Sequence, residues 1–507
     1  MTYAQATLPQ ATVSTAYPAM TGVSRFVAAG ANLQSTLDAA QAGDEVVLAA
    51  GATFTGNFVL PVKSGSGWVV VRAQNVATAP GVRMTPTANA GAARIITPNA
   101  NPAILTAPGA ARWRLVGLDV APTTGAGINF GLVVLGRGDE VTLAAQPSHI
   151  VLDRMYIHGT LIDDLKRCVA FNGASLAVID SWLGECHGKG FDAQGVVGWN
   201  GPGPFLIENN RIEGSGQAVF FGGADPKIAN LSPADITVRR NYLFKPLSWA
   251  NGRWTIKATF ELKHAKRLLF EGNVLENHWT DAQVGFAVLF QTVSDNNTSW
   301  PWTTVQDVTV RNNIIRNSTS GFNIAARMSV NGGVLPTNPT ARVVIINNLL
   351  QNVGRDPISG QTGRIFQLLN DLTDVSVINN TATLGSNANT VLTMDDVGLH
   401  QTRLTFVNNV FPLTDYGIIG TGKGIGTASL NYFAPGSVVV GNVMPGQSAG
   451  PYPINNFFPT SASVIAFSSA GAGDFSLTSS NPFFSGLYGR IGIDFGSLSA
   501  MVAGTTP

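Results

Sequence analysis

The chain has 507 residues, and its 31 Lys and Arg residues nearly balance its 30 Asp and Glu residues. This balance leaves no broad cationic face, which argues against nucleic acid or anionic lipid as a partner. Because 45% of the residues are hydrophobic and only 12% are charged, the composition excludes a disordered chain and is typical of extracellular β proteins.

Two kinds of targeting segment are not evident in the sequence. No apolar run approaches the roughly 18 residues of a membrane span, and residues 1–10 lack the basic and then apolar pattern of a signal peptide. We therefore expect no membrane span, and an extracellular or periplasmic protein whose leader has been removed.

The first predicted element is a short amphipathic helix near Leu33 to Gln41, in the sequence LQSTLDAAQ. Gly43 and Asp44 follow it and predict a turn into the first strands. We assign residues 1–60 to an N-terminal cap and first coil, because an uncapped end of a strand array invites aggregation.

The chain has two cysteines, Cys168 and Cys186, which are 18 residues apart. On adjacent turns of a repeat array they could meet as a disulfide, and two buried thiols are the alternative.

From residue 205 onward one phrase of strand, Asn and strand recurs, as in FLIENNRIEG, VTVRNNIIRN and VVIINNLLQN. Its markers are spaced by 31, 32, 40, 35, 32, 29 and 33 residues. Periods of this length indicate a solenoid, and the alternation of apolar and polar residues indicates strands rather than helix pairs. The markers are Asn210, Asn241, Asn273, Asn313, Asn348, Asn380, Asn409 and Asn442.

We expect these asparagines to be structural. An Asn at a sharp bend tolerates unusual backbone angles, and its amide can hydrogen-bond the equivalent Asn of the coils above and below. The sequence thus predicts a ladder of asparagines inside the wall.

With this repeat, the chain resembles the pectate-lyase-like superfamily of right-handed parallel β-helices. The resemblance implies an all-β, single-stranded solenoid with an N-terminal capping helix. It places the β-helix at residues 61–445, with loop excursions near 225–235, 245–255, 292–304 and 330–341. Residues 446–507, with GDFSLTSSNPFF and GRIGIDFG, are similar to the closing segment of bacterial β-helix proteins.

A further strand follows each Asn phrase, and its outward residues should form a polar row along the wall. Such a row is compatible with a polysaccharide groove. The predicted outward residues include Asn172, Gln194, Gln291, Asn323, Gln367 and Asp395, and the further sugar-binding candidates near this wall are Arg239 and His187.

The segment Thr255 to His264 is the most informative, because it alternates as one strand and places Lys257, Glu261 and Lys263 on one face. A solvated strand with weak ion pairs is the structural alternative. The functional alternative is β-elimination from a uronic acid, in which a cation neutralises the carboxylate and a base removes the C5 proton. We take Lys257 or Lys263 as the base, and Glu261 and Arg327 as its catalytic neighbours.

Tryptophans cluster in the predicted loops, where indole rings can stack on sugars or can equally fix a loop to the wall. The candidates for sugar binding are Trp249, Trp279, Trp300 and Trp302. Calcium is the one cofactor considered, with Asp192, Asp225 and Glu261 as ligands, although neither the calcium signature of pectate lyases nor a zinc spacing is evident.

The leading functional hypothesis is a polysaccharide lyase that acts on an acidic glycan, with a glycoside hydrolase or an epimerase as alternatives on the same fold. The other class is a glycan-binding solenoid without catalysis, such as a tailspike or adhesin. We expect a monomer, and a trimer only for a virus-associated protein.

Overall fold

A computed structural model describes residues 5–294 and 301–506. It divides into two compact units: an N-terminal unit, Pro9–Thr255, and a C-terminal unit, formed by the described residues of 1–8 and 256–507. Each unit is a parallel β-helix with three sheets, and from Glu45 to Asp395 the chain visits the first, second and third sheets in that order in each coil.

In the N-terminal unit, each strand of a sheet pairs in parallel with the strand one coil later. The first sheet contains Ser24–Val27, Glu45–Leu48, Val69–Ala73, Ala111–Val116, Ser148–Asp153, Ala174–Ile179, Phe205–Glu208 and Ala234–Arg239. The second sheet contains Thr53–Thr55, Arg94–Thr97, Asp119–Pro122, Tyr156–His158, Trp182–Cys186, Arg211–Gly214 and Tyr242–Phe244. The third sheet contains Phe58–Leu60, Ile104–Thr106, Val133–Leu135, Arg167–Phe171, Gln194–Gly198 and Gln217–Phe221.

The C-terminal unit repeats this arrangement. Its first sheet contains Ala265–Glu271, Val305–Arg311, Ala341–Ile346, Thr373–Ile378, Thr405–Val407 and Val438–Val440. Its second sheet contains Val274–His278, Ile314–Ser318, Leu349–Val353 and Thr381–Thr383. Its third sheet contains Phe260–Leu262, Phe286–Thr292, Ser320–Arg327, Arg364–Leu369, Ala388–Asp395 and Thr414–Gly420.

Helix is scarce among the described residues. The predicted N-terminal helix is present as Leu33–Ala39, with the Asn32 side chain accepting a hydrogen bond from Ser35 N. Two further helices, Thr427–Phe433 and Phe495–Val502, were not predicted. Short hairpins in the C-terminal unit pair Ser329–Val330 with Gly333–Val334, Phe467–Ser469 with Asp474–Leu477, and Ser485–Gly486 with Gly489–Arg490.

The asparagine ladder is confirmed within each unit. In the C-terminal unit, Asn313 donates from its backbone N and its side-chain amide to Asn348 Oδ1, and Asn348 does the same to Asn380. The left-handed backbone angle, however, belongs to the preceding residue, as at Asn312 and Asn347 with φ of 56°. The ladder Asn therefore contributes its amide, and its neighbour accommodates the bend.

Cys168 and Cys186 form a disulfide, with Cα atoms 5.7 Å apart. The two cysteines are therefore not the pair of buried thiols that the sequence left as the alternative. Among the described residues no helix is long and apolar enough to cross a membrane.

Candidate functional site

The outer face of the third sheet in the C-terminal unit carries a row of five residues in register, four of them polar. Glu261 pairs with Leu289, which pairs with Asn323, and the row continues through Gln367 and Thr393. Adjacent members lie about 4.8 Å apart, the spacing of strands in a sheet. This row, together with Lys263 and Gln291 beside it, is called the polar strip below.

One ion pair stands at the end of the polar strip, where Lys263 Nζ lies 3.8 Å from Glu261 Oε1. The Glu261 side chain is 1% exposed, whereas that of Lys263 is 27% exposed. A buried carboxylate is costly unless it is paired, so Glu261 favours an ammonium beside it. The partly exposed Lys263 can therefore reach a ligand from a fixed position.

The predicted strand from Thr255 to His264 is only three residues long, Phe260–Leu262. The residues just before this strand have side chains, not another strand, as their hydrogen-bond partners. Asp281 Oδ2 accepts from Ile256 N at 2.8 Å, and Gln283 Oε1 accepts from Ala258 N at 2.9 Å. The alternation of apolar and polar residues could not reveal the short length of this strand. An extended segment shows the same alternation whether its backbone is hydrogen-bonded to a strand or to side chains.

Lys257 lies in this extended segment and is half-buried. Its carbonyl oxygen is 3.0 Å from His278 Nε2, which fixes the backbone on the N-terminal side of the strip. His278 itself ends the strand Val274–His278 and is buried.

The loop that holds this segment is itself anchored by Asp356, which the sequence analysis did not single out. Asp356 accepts hydrogen bonds from Thr280 N, Ile358 N, Ser359 N and Thr319 Oγ1, all at 2.8–2.9 Å. Burial opposes ionisation of this carboxyl, but the donors from Ser359, Thr280, Ile358 and Thr319 outweigh it and lower its pKa to about 2. Asp356 is therefore a fixed anion that organises two loops.

A second cation on the polar strip was also missed. Arg364 Nη1 donates to Gln367 Oε1, and Gln367 Nε2 donates to Asn323 Oδ1 at 3.2 Å. Arg364 stands at the start of its strand, where the alternation rule assigns it to the core with Phe366. The structure instead connects its guanidinium to the outer face.

Arg327, a predicted catalytic neighbour, is engaged elsewhere. Its guanidinium pairs with both carboxylate oxygens of Asp371, and Nη1 lies 3.4 Å from the carbonyl oxygens of Leu335 and Thr337. Arg327 therefore fixes the loop around the hairpin at Ser329–Val330, and its donors do not point to a free ligand site.

The tryptophans expected above the groove are mostly inside the protein. Trp249 is 2% exposed and Trp279 is 3% exposed, so in this conformation neither ring can stack on a sugar. Trp302 is partly exposed, and Trp300 lies outside the described residues. The expectation of a tryptophan platform was wrong for Trp249 and Trp279, because the rings hold the loops to the wall.

In the N-terminal unit, Gln194 and Asp192 are connected through Gln217. Gln194 Nε2 donates to Gln217 Oε1 at 3.3 Å, and Gln217 Nε2 lies 3.4 Å from Asp192 Oδ2. Asn172 is fully buried, and its Oδ1 accepts from the backbone N of Trp199 and Asn200. Gln194 and Asn172 therefore serve the coil itself.

Two other candidates of this unit are also away from the outer face of the third sheet. Arg239 ends a strand of the first sheet and pairs with Glu208 at 2.8 Å. His187 is fully buried and stacks on Trp254 with ring centroids 3.8 Å apart. The sequence showed that Arg239 and His187 lie near predicted strands, but it did not show which sheet or face they belong to.

For calcium, the sequence proposed Asp192, Asp225 and Glu261 as ligands. Among the described residues no group of three or more His, Cys, Asp or Glu side chains is placed to share a metal ion. Asp225 is buried, and Glu261 has the ammonium of Lys263 as its neighbour. Calcium binding therefore stays a prediction.

No family model matches the chain, and no curated protein matches it in sequence. Among solved structures, the PL6-family alginate lyase AlyGC has a TM-score of 0.51 at 10% identity, over 96% of this chain and 59% of the lyase. The A-module of the Azotobacter vinelandii mannuronan C-5 epimerase has a TM-score of 0.50 at 13% identity, over 81% of this chain and 93% of the module.

These likenesses are likenesses of fold, and this chain spans about three fifths of the length of the lyase. They confirm the predicted fold, a right-handed parallel β-helix.

Proposed function

We propose that the protein acts on an acidic polysaccharide laid along the polar strip, and that it cleaves the chain by β-elimination with Lys263 as the base. The observation that carries the proposal is the pair of a partly exposed lysine and a buried glutamate at one end of an outward row that contains the amides of Asn323 and Gln367. The similar folds of an alginate lyase and a mannuronan epimerase support it.

The polar strip suits a polymer because its members repeat once per strand, about every 4.8 Å, and successive sugar units of an extended glycan advance by a similar length. Asn323 and Gln367 offer amide groups to hydroxyls at successive sugar units. Arg364 offers a guanidinium for a uronate carboxylate at one of them.

In the reaction, Lys263 first passes its ammonium proton to water, and its amine then takes the proton from C5 of the uronate. The electron pair of that C–H bond forms the C4–C5 double bond, the C4–O bond to the neighbouring sugar breaks, and the departing oxygen takes a proton from water. Glu261 is a positioning residue, since its buried carboxylate holds Nζ near the strip. An epimerase shares the first step and returns a proton to the opposite face of C5.

The test is incubation with alginate, polygalacturonate, glucuronan and chondroitin sulfate, followed by ultraviolet absorbance of unsaturated uronate ends. We expect absorbance to grow with one of them, and Lys263→Ala to reduce the rate at least 100-fold, the usual scale for loss of a general base. Lys227→Ala, which removes an exposed lysine of the N-terminal unit, is the matched control.

Two results would contradict the lyase. Incorporation of solvent deuterium at C5 without chain cleavage identifies an epimerase instead. Tight binding of a glycan without either reaction identifies a binding protein of the tailspike or adhesin class.

A further inference from the structure

A cavity of about 540 Å³ opens on the outer face of the second sheet in the N-terminal unit. Tyr156 and His158 of one strand line it, together with Arg94 and Glu185 from nearby strands and the loop that follows His158. The volume falls within the range of small-molecule sites. None of these residues belongs to the polar strip.

One side of the cavity is ionic. Asp119 lies between Arg94 and His158, with Oδ2 3.1 Å from Arg94 Nε and Oδ1 3.2 Å from His158 Nε2. Glu185 lacks such a pairing: its carboxylate lies 3.1 Å from Nε2 of the buried His187, and among the described residues no Arg or Lys forms an ion pair with it. The register of the strand Trp182–Cys186 shifts between Leu183 and Cys186, and Glu185, which lies in this irregular part of the strand, lines the cavity.

The opposite side is apolar and belongs to a well-fixed loop. Leu161 and Ile162 are 67% and 65% exposed. Yet Thr160 Oγ1 and Gly125 N both donate to Asp163 Oδ2, at 2.8 and 2.9 Å, and Arg253 Nη2 donates to Leu161 O at 3.0 Å. The loop is therefore held in a conformation that keeps two adjacent apolar side chains in water beside the cavity.

We propose that this cavity, the second-sheet pocket, binds a neutral sugar residue. The Glu185 carboxylate accepts hydrogen bonds from sugar hydroxyls, and the apolar face of the ring packs against Leu161 and Ile162. A carboxylate with no cationic ion-pair partner repels an anion, so uronic acids are disfavoured.

This specificity is opposite to that of the polar strip, where Lys263 and Arg364 favour an acidic glycan. The second-sheet pocket would thus hold neutral glycan, such as a side chain or an associated polymer, while the strip holds the acidic chain. The binding itself does not depend on the lyase proposal.

The test is isothermal titration of the intact protein with cello-, manno- and xylo-oligosaccharides and with oligouronates. Leu161→Ser/Ile162→Ser removes the apolar contact without disturbing a core, and Val141→Ser, at an exposed position of the same unit, is its control. We expect one neutral series to bind, and the double variant to bind it at least tenfold more weakly, as for loss of an anchoring contact. The control should bind normally.

Glu185→Gln keeps hydrogen bonding but removes the charge, so we expect it to narrow the preference for neutral over acidic oligosaccharides. Cleavage at the strip should be unchanged in all of these variants. The proposal is overturned if no neutral series binds at about 10 mM, where even weak sites are occupied. It is also overturned if the double variant binds as the parent does, or if it instead abolishes self-association measured by sedimentation.

Discussion

At the scale of single residues, the buried amides of the ladder carry much of the specificity of the coil. Asn348 donates to Val310 O, Ile346 O and Asn380 Oδ1 and accepts from Asn313. Leucine has a similar size but leaves these partners unsatisfied in a dry turn.

We expect Asn348→Leu to lower the free energy of unfolding by about 2–4 kcal/mol, since several buried groups lose partners. Asn387→Leu, at an exposed position of the same unit, should change it by less than about 0.5 kcal/mol. Denaturant melts measure both. Equal stability of the two variants would contradict the inward position of the ladder.

The lowered pKa of Asp356 predicts that the stability of the protein depends on pH. Its folded pKa of about 2 lies below its ordinary value of 3.8, so its contribution to stability is full above about pH 4 and is lost as the pH falls toward 2. After allowance for solvent screening, the contribution is about 1–2 kcal/mol.

Asp356→Asn carries no charge at any pH, so its stability deficit relative to the parent should shrink by that amount between pH 5 and about pH 2. Thermal melts of both proteins across this range measure the deficit. A deficit independent of pH would show that Asp356 is not held as an anion by its four donors.

At the scale of elements, the loop after Val274–His278 fixes the start of the polar strip, and its tryptophan is part of the core. We expect Trp279→Ala to destabilise the protein by about 3–5 kcal/mol, the range for deleting a buried aromatic ring. Denaturant melts measure this loss. Near-parental stability together with weaker glycan binding would instead restore Trp279 as a sugar platform.

The disulfide closes an 18-residue separation between strands of the third and second sheets. In the chain-entropy account, a loop of this length contributes about 3 kcal/mol. We expect a reductant to lower the melting temperature of the parent, and Cys168→Ala/Cys186→Ala to melt at a similarly lowered temperature without response to reductant. A parent whose melting does not respond to complete reduction would contradict this.

The sequence predicted elements well where periodicity determines them and poorly where side chains act as backbone partners. The strand and Asn phrases, the N-terminal helix and the outward row of Asn323 and Gln367 were predictable, because side-chain alternation fixes them. The contacts of Asp281 and Asp356 with loop backbone were not, since nothing local in the sequence specifies a partner 25 or 76 residues away.

The candidate site was predictable only in part for a related reason. Alternation placed Glu261 and Lys263 on one face, but it could not show that Glu261 is buried or that Arg364 reaches that face. Nor could it show that Arg327 pairs with Asp371.

At the scale of the whole molecule, the described residues contain three α-helices of seven, seven and eight residues amid three parallel sheets in each unit. Far-ultraviolet circular dichroism should therefore show a β-rich protein with little helix. A helical content above about a quarter, close to the average of globular proteins, would contradict the fold.

The central claim is that the polar strip on the third sheet holds an acidic glycan with its C5 proton facing Lys263. The most direct measurement is a crystal structure of Lys263→Ala soaked with an oligouronate of the polysaccharide that the parent cleaves. The account predicts sugar density along Asn323 and Gln367, a carboxylate near Arg364, and C5 of one uronate above the position vacated by Nζ. Sugar density on another sheet, with the polar strip free of it, would contradict the account.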